Sequence, residues 1–111
     1  MASPQTENGF TKIANEIMEA LAKYRLSGQE RQIVDVVLRK TYGFNKKEDV
    51  ISMGQFSLFT GINRPCVARL LKALLHKKIL RVTQKDNTKG NSYIFQKDFE
   101  QLIKNLKIVQ N

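Results

Sequence analysis

Arg64, Arg69 and Lys72 lie on a stretch whose apolar residues, Val67, Leu70, Leu71 and Leu74, recur at helical spacing. At 100° per residue those four fall within about 60° of Val67, which places Pro65, Arg69, Lys72 and His76 on the opposite side. Cys66 and Ala73 flank that outward face. Guanidinium and ammonium groups without neighbouring carboxylates grip anions, and Arg alone presents a fork matched to two acceptors of a guanine edge. An ordinary solvated helix would alternate Glu with Lys, yet no acidic residue occurs between Gly61 and Lys85. The chemistry expected is recognition of a polyanion.

Charge arithmetic points the same way. The 111 residues carry 19 Lys and Arg against 10 Asp and Glu, net +9. Residues 61–90 hold eight basic side chains and only Asp86, whereas residues 1–60 and 91–111 are each net +1. Charge packed into one segment is the footprint of a nucleic-acid binder. With 41% hydrophobic residues the chain is no disordered polyelectrolyte. Its length suits one domain. No apolar run approaches the ~18 residues of a membrane span, and the start lacks a signal peptide, so a cytoplasmic location is expected. Cys66 is the sole cysteine, which excludes an internal disulfide and a thiolate-rich metal site. Cys66 and His76 sit about 280° apart around one helix and cannot share a ligand. Cys66 reads instead as a small residue that lets the helix approach DNA. Neither a cofactor nor enzyme activity is indicated.

The elements that must position these cations follow from local signals. Residues 1–10 read as a flexible arm and 11–111 as one domain. A first helix begins near Thr11, with Ile13, Ile17, Ala20, Leu21 and Tyr24 on one face. Ser27 and Glu30 form a capping box for a second helix that buries Ile33, Val34, Val37, Leu38 and Thr41. That helix is expected to stop at Gly43 in a left-handed cap, with Tyr42 and Phe44 sealing its end against the core. Val50 and Ile51 suit a short strand. Ser52 and Gln55 repeat the capping logic for a third helix with Phe56, Phe59 and Thr60, ending at Gly61. Asn63 caps the fourth helix, about 64–77, with Pro65 in its first turn. A hairpin over about 79–95 follows, its basic tip in the polar stretch 84–91. Asp98 caps a last helix, about 98–108, with Phe99, Leu102, Ile103 and Leu106 inward. Phe56, Phe59, Phe95 and Phe99 are read as core.

This order, mainly α with a small β-hairpin, is that of a winged helix-turn-helix with residues 60–63 as the turn. Asn63, Arg64, Arg69 and Lys72 are the expected base contacts, since the start of the second helix enters the major groove. Lys77, Lys78, Lys85 and Lys89 are the expected backbone and wing contacts. The first or last helix could supply a dimer surface.

Two stretches carry a resemblance. Residues 4–16, with Glu7-Asn8-Gly9-Phe10-Thr11-Lys12-Ile13, are similar to the opening of the phage replication protein O family. Arg39-Lys40-Thr41-Tyr42-Gly43-Phe44-Asn45 and Asp49-Val50-Ile51-Ser52 resemble that family's signature run. Thr60-Gly61-Ile62-Asn63-Arg64-Pro65-Cys66-Val67-Ala68-Arg69 falls where the family has its recognition helix, although Pro65 and Cys66 depart from its polar residues. The resemblance implies a domain that binds repeated, inverted duplex DNA sites at a phage or prophage replication origin, as a dimer, and so initiates replication. It also implies helicase-loading partners reached through a C-terminal part not expected within these 111 residues. A winged-helix transcription regulator shares the same fold and chemistry. A protein-interaction module gripping an acidic partner is the alternative from another class.

Overall fold

A computed structural model of the chain describes residues 9–23 and 25–96. Four helices and three strands follow in the order α1 (Asn15–Lys23), α2 (Gly28–Thr41), β1 (Asp49–Ile51), α3 (Met53–Thr60), α4 (Arg64–His76), β2 (Leu80–Gln84) and β3 (Asn91–Phe95). The strands form one antiparallel sheet with β3 in the centre, in the order β1-β3-β2. The fold is mainly helical, with α3, a turn and α4 leading into the β2–β3 hairpin. β1 adds a third strand to that hairpin, pairing Asp49 with Tyr93 and Ile51 with Asn91. A bulge after Val82 shifts the β2–β3 register, so that Gln84 pairs with Ser92. The expected helix at 98–108 and most of the arm at 1–10 lie outside the described residues.

The helix starts obey their local signals. Ser27 Oγ accepts from the Glu30 amide at 3.1 Å, and Glu30 Oε1 accepts from the Ser27 amide at 3.0 Å. Ser52 and Gln55 make the same reciprocal pair at 3.1 and 3.0 Å. Asn63 Oδ1 accepts from the Cys66 amide at 3.0 Å. Each cap satisfies amides that a helix leaves without internal partners. Gly61 ends α3 at φ 76°, a left-handed conformation that costs glycine nothing.

Two expectations at helix ends are corrected. α1 begins at Asn15 rather than near Thr11, because its first bonds, from Ile17 and Met18, both end on the Ala14 carbonyl. α2 does not stop in a left-handed Gly43. It tightens into a 3-10 turn, Tyr42–Phe44, and Asn45 takes the left-handed position at φ 56°. Gly43 instead leaves room for the Arg39 side chain, whose Nη1 would stand 2.6 Å from a Cβ there.

The core lies between the inner faces of α2, α4 and the sheet, with Phe56, Phe95, Ile33, Val37, Val67 and Leu74 fully buried. Removing one such side chain from water contributes about 1.5–3 kcal/mol. The Phe56 ring meets Tyr93 edge-on, centroids 5.4 Å apart. Two aromatic residues expected inside are not there. Phe44 is 53% and Phe59 55% exposed. α3 is apolar on both sides, with Phe56 inward and Leu58 and Phe59 outward, so its sequence does not single out one inner face.

Candidate nucleic-acid interface

α4 turns its apolar stripe inward. Val67, Leu71 and Leu74 are buried, and Leu70 and Leu75 are half-buried. Pro65, Ala68, Arg69, Lys72 and His76 therefore face solvent on one side of a 13-residue helix, about 20 Å long, and Arg64 is exposed at its first turn. Among the described residues, Arg64, Arg69 and Lys72 make no ion pair with a carboxylate.

The turn that aims this helix is fixed by side chains. Ser57 Oγ donates to the Ile62 carbonyl at 2.6 Å, and Thr60 Oγ1 donates to the Phe56 carbonyl at 2.6 Å while accepting from the Ile62 amide at 3.1 Å. Gln32 on α2 donates to the Thr60 carbonyl at 3.1 Å. These bonds lock the angle between α3 and α4 to α2.

Each expected site residue has a definite place. Arg64 reaches back over the start of α3, where a Cβ at position 54 would stand 2.8 Å from its Nη2. Arg64 and Gly54 share a polar recess with Asn87, Thr88 and Gly90 of the β2–β3 turn. Arg69 donates from Nη2 to Cys66 Sγ at 2.9 Å, so the thiol props the guanidinium on the outward face. Lys72 is exposed one turn further along. Asn63 spends its carbonyl oxygen on the cap, which leaves its amide nitrogen for any outside partner. Lys78 is exposed at φ 60°, and Lys85 and Lys89 are exposed on either side of the wing turn. Lys77 differs from the rest. Its Nζ lies 2.8 Å from Glu30 Oε2, in an ion pair whose carboxylate side chain is only 10% exposed.

The β2–β3 turn has an organiser that charge counting passes over. Asp86, the one acidic residue of the basic segment, accepts from the Thr88 amide at 2.8 Å, the Thr88 hydroxyl at 2.7 Å and the Lys89 amide at 3.1 Å. These bonds, chiefly those from Thr88, hold its carboxyl below the usual carboxylate range. The turn is tied back by Gly90, which a Cβ would drive to 2.8 Å from the Ile51 carbonyl oxygen. Asp followed by Asn and Thr is a visible turn signal. The roles of Gly54 and Cys66 depend on which side chain folds over them, and no local pattern encodes that.

A helix presented after a tight turn, with an antiparallel hairpin beside it and cations on both, gives a small, mainly helical domain with a three-stranded sheet. The bacteriophage replication protein O family pattern matches residues 3–96, and the chain belongs to that family. It is 41% identical over 73 residues to Replication protein 15 of Enterobacteria phage phi80, covering 66% of this chain and 24% of that protein. DNA replication protein gp18 of Salmonella phage P22 is 41% identical over 58 residues, covering 52% and 21%. Replication protein O of Escherichia phage lambda is 33% identical over 54 residues, covering 49% and 16%. The aligned part thus spans about a quarter or less of each of these relatives. No solved structure matches the chain. The relatives are named as replication proteins, not as enzymes. No helix among the described residues is long and apolar enough to cross a membrane.

Proposed function

We propose that the chain is a winged-helix domain that binds duplex DNA at a phage replication origin, with α4 in the major groove and the β2–β3 turn as the wing. One observation carries this reading: the outward face of α4 bears Arg69 and Lys72, with Arg64 exposed at its first turn, none of them paired with a carboxylate among the described residues. A major groove about 12 Å wide admits one helix, and its phosphates supply the missing negative charge. Family membership gives the reading its replication context.

Arg69, held up by Cys66, is the proposed reader of a guanine edge, with Lys72 beside it and Asn63 contributing its amide nitrogen. Arg64, laid over the α3 start, meets a base edge or the phosphate at that helix terminus, where amides also point outward. Lys78, Lys85 and Lys89 hold neighbouring phosphates. Lys77 adds least, because Glu30 already neutralises it. Two copies on inverted half-sites complete the reading. Helicase-loading partners are assigned to parts of the longer relatives outside the aligned region.

Selection of bound sites from a random duplex pool, with the selected site's affinity measured at two salt concentrations, tests this. A recovered site with inverted symmetry that recurs in a phage origin supports origin recognition. Recovery at promoters only would favour a regulator. Sequence-blind, steeply salt-dependent binding would remove the recognition role of α4.

A further inference from the structure

The outward side of α2 and the end of α3 enclose a groove of about 420 Å³. It shares no lining residue with α4 or the wing, and the run at 39–45 supplies Arg39, Lys40 and Phe44 to it. Phe44 and Phe59 stand in the groove with more than half of each residue exposed, and Val36, nearly buried, lies between the cations along α2 and the core. Each ring carries a cation on its face: Arg39 Cζ is 4.8 Å from the Phe44 centroid, and Lys40 Nζ is 4.8 Å from that of Phe59. Among the described residues neither Arg39 nor Lys40 is paired with a carboxylate. Asp35, at the rim, is already held by Arg31 at 3.0 Å. Leu58, next to Phe59 on α3, is 78% exposed as well. Exposed rings gathered in one groove mark an interaction site, and aromatic residues with Arg are the composition enriched at interface centres.

We propose that this groove docks an acidic amphipathic segment of a protein partner. An apolar side chain of that segment sits against Phe44, Phe59 and Val36, and its carboxylates meet Arg39 and Lys40. Charge complementarity selects the acidic partner, because among the described residues these two cations meet aromatic faces and no carboxylate. Single-stranded nucleic acid offers the same negative charge, but its bases bind by stacking on ring faces, and one face of each ring is covered by a cation. An apolar side chain needs only the ring edges. A second copy docking groove to groove by two-fold symmetry would set Arg39 and Lys40 against themselves. The inference stands whether or not α4 reads DNA.

The test is panning a display library of short random peptides on the immobilised protein, then measuring the selected peptides, fluorescein-labelled, by anisotropy. Selected peptides are expected to carry Asp or Glu on both sides of an apolar residue. Their affinity is expected to fall about tenfold or more with Phe59→Ala, Phe44→Ala or the pair Arg39→Glu, Lys40→Glu. The melting temperature and duplex affinity should stay near wild type for Phe44→Ala and Phe59→Ala, and Lys40→Glu alone gives a surface change that tests the charge without trimming a ring. Neutral or basic selected peptides, or affinities indifferent to all these substitutions, would overturn the proposal. So would labelled oligo-dT bound in the same groove and lost with the same substitutions, or a concentration-dependent dimer in sedimentation that Phe59→Ala dissolves.

Discussion

Lys77 Nζ lies 2.8 Å from Glu30 Oε2, joining the residue after α4 to the first turn of α2 across 47 positions. Burial raises the Glu30 carboxyl, but the Lys77 hydrogen bond, the Ser27 amide and the Lys77 charge outweigh it, and the group ends below its ordinary value of 4.5. A depressed carboxyl contributes stability in full above its unfolded value and loses it as the pH falls through the lower folded one. Stability should therefore decline on the acid side of about pH 4.5. Lys77→Met strands a nearly buried carboxylate, at a cost of about 1–3 kcal/mol near neutrality, below the full buried-pair figure because Lys77 is 35% exposed. It should also flatten the acid trend, since Glu30 loses the Lys77 bond and charge that hold its carboxyl down. Urea melts of both proteins at pH 7 and pH 4 check this; parallel losses would refute it.

The bond from Arg69 Nη2 to Cys66 Sγ makes a second expectation. Cys66→Ala removes the acceptor and frees the guanidinium to sample other rotamers, so affinity for a selected duplex should drop by up to about 1 kcal/mol. Cys66→Ser keeps an acceptor at nearly the same place and should restore most of the loss. Anisotropy titrations separate the two. Ser and Ala variants that behave alike would show that the prop is unimportant.

Much of this arrangement is legible in the sequence, because it is written over three or four residues at a time. The caps at Ser27, Ser52 and Asn63 need only their own third neighbours, and the outward face of α4 follows from one apolar stripe. What is not legible depends on distant partners. The carboxyl of Glu30 looks like half of a capping box, and it is, but its other oxygen waits for Lys77. Gly43 looks like a helix stop, yet its smallness serves the Arg39 side chain that lies across it. Phe59 and Phe56 are three residues apart on a short helix rich in apolar residues, and only the packing of α2 and the sheet decides that Phe56 goes in. Phe44 ends a 3-10 turn whose direction no periodicity encodes.

Gly90 and Gly28 offer a matched contrast. Gly90 has φ 108°, and a Cβ would meet the Ile51 carbonyl oxygen and Ser52 Cα at 2.8 Å, all backbone that cannot step aside cheaply. Gly90→Ala should cost on the order of 1–3 kcal/mol and pull the wing turn away from the α3 start. Gly28 has nothing within 4 Å and helical geometry, so Gly28→Ala should be neutral or stabilising by up to about 1 kcal/mol. Thermal melts of the two single variants decide it. Equal effects would mean that the wing is not anchored through Gly90.

Arg69 and Lys89 carry the sharpest test of how the domain uses its charge. Arg69 stands on the exposed face of α4, where the proposed reading gives its fork of donors a base edge, whereas Lys89 is exposed at the β2–β3 turn, where that reading gives it only phosphates. Arg69→Ala should cost about 1–3 kcal/mol on the selected site and relax base preference at one position. Lys89→Ala should weaken selected and random duplexes about equally, and lower the slope of log affinity against log salt by about one. Titrations of both variants on both duplexes at two salt concentrations give the four numbers required. If Arg69→Ala instead reproduces the sequence-blind loss of Lys89→Ala, Arg69 is a phosphate contact, and base reading passes to Asn63, Arg64 and Lys72.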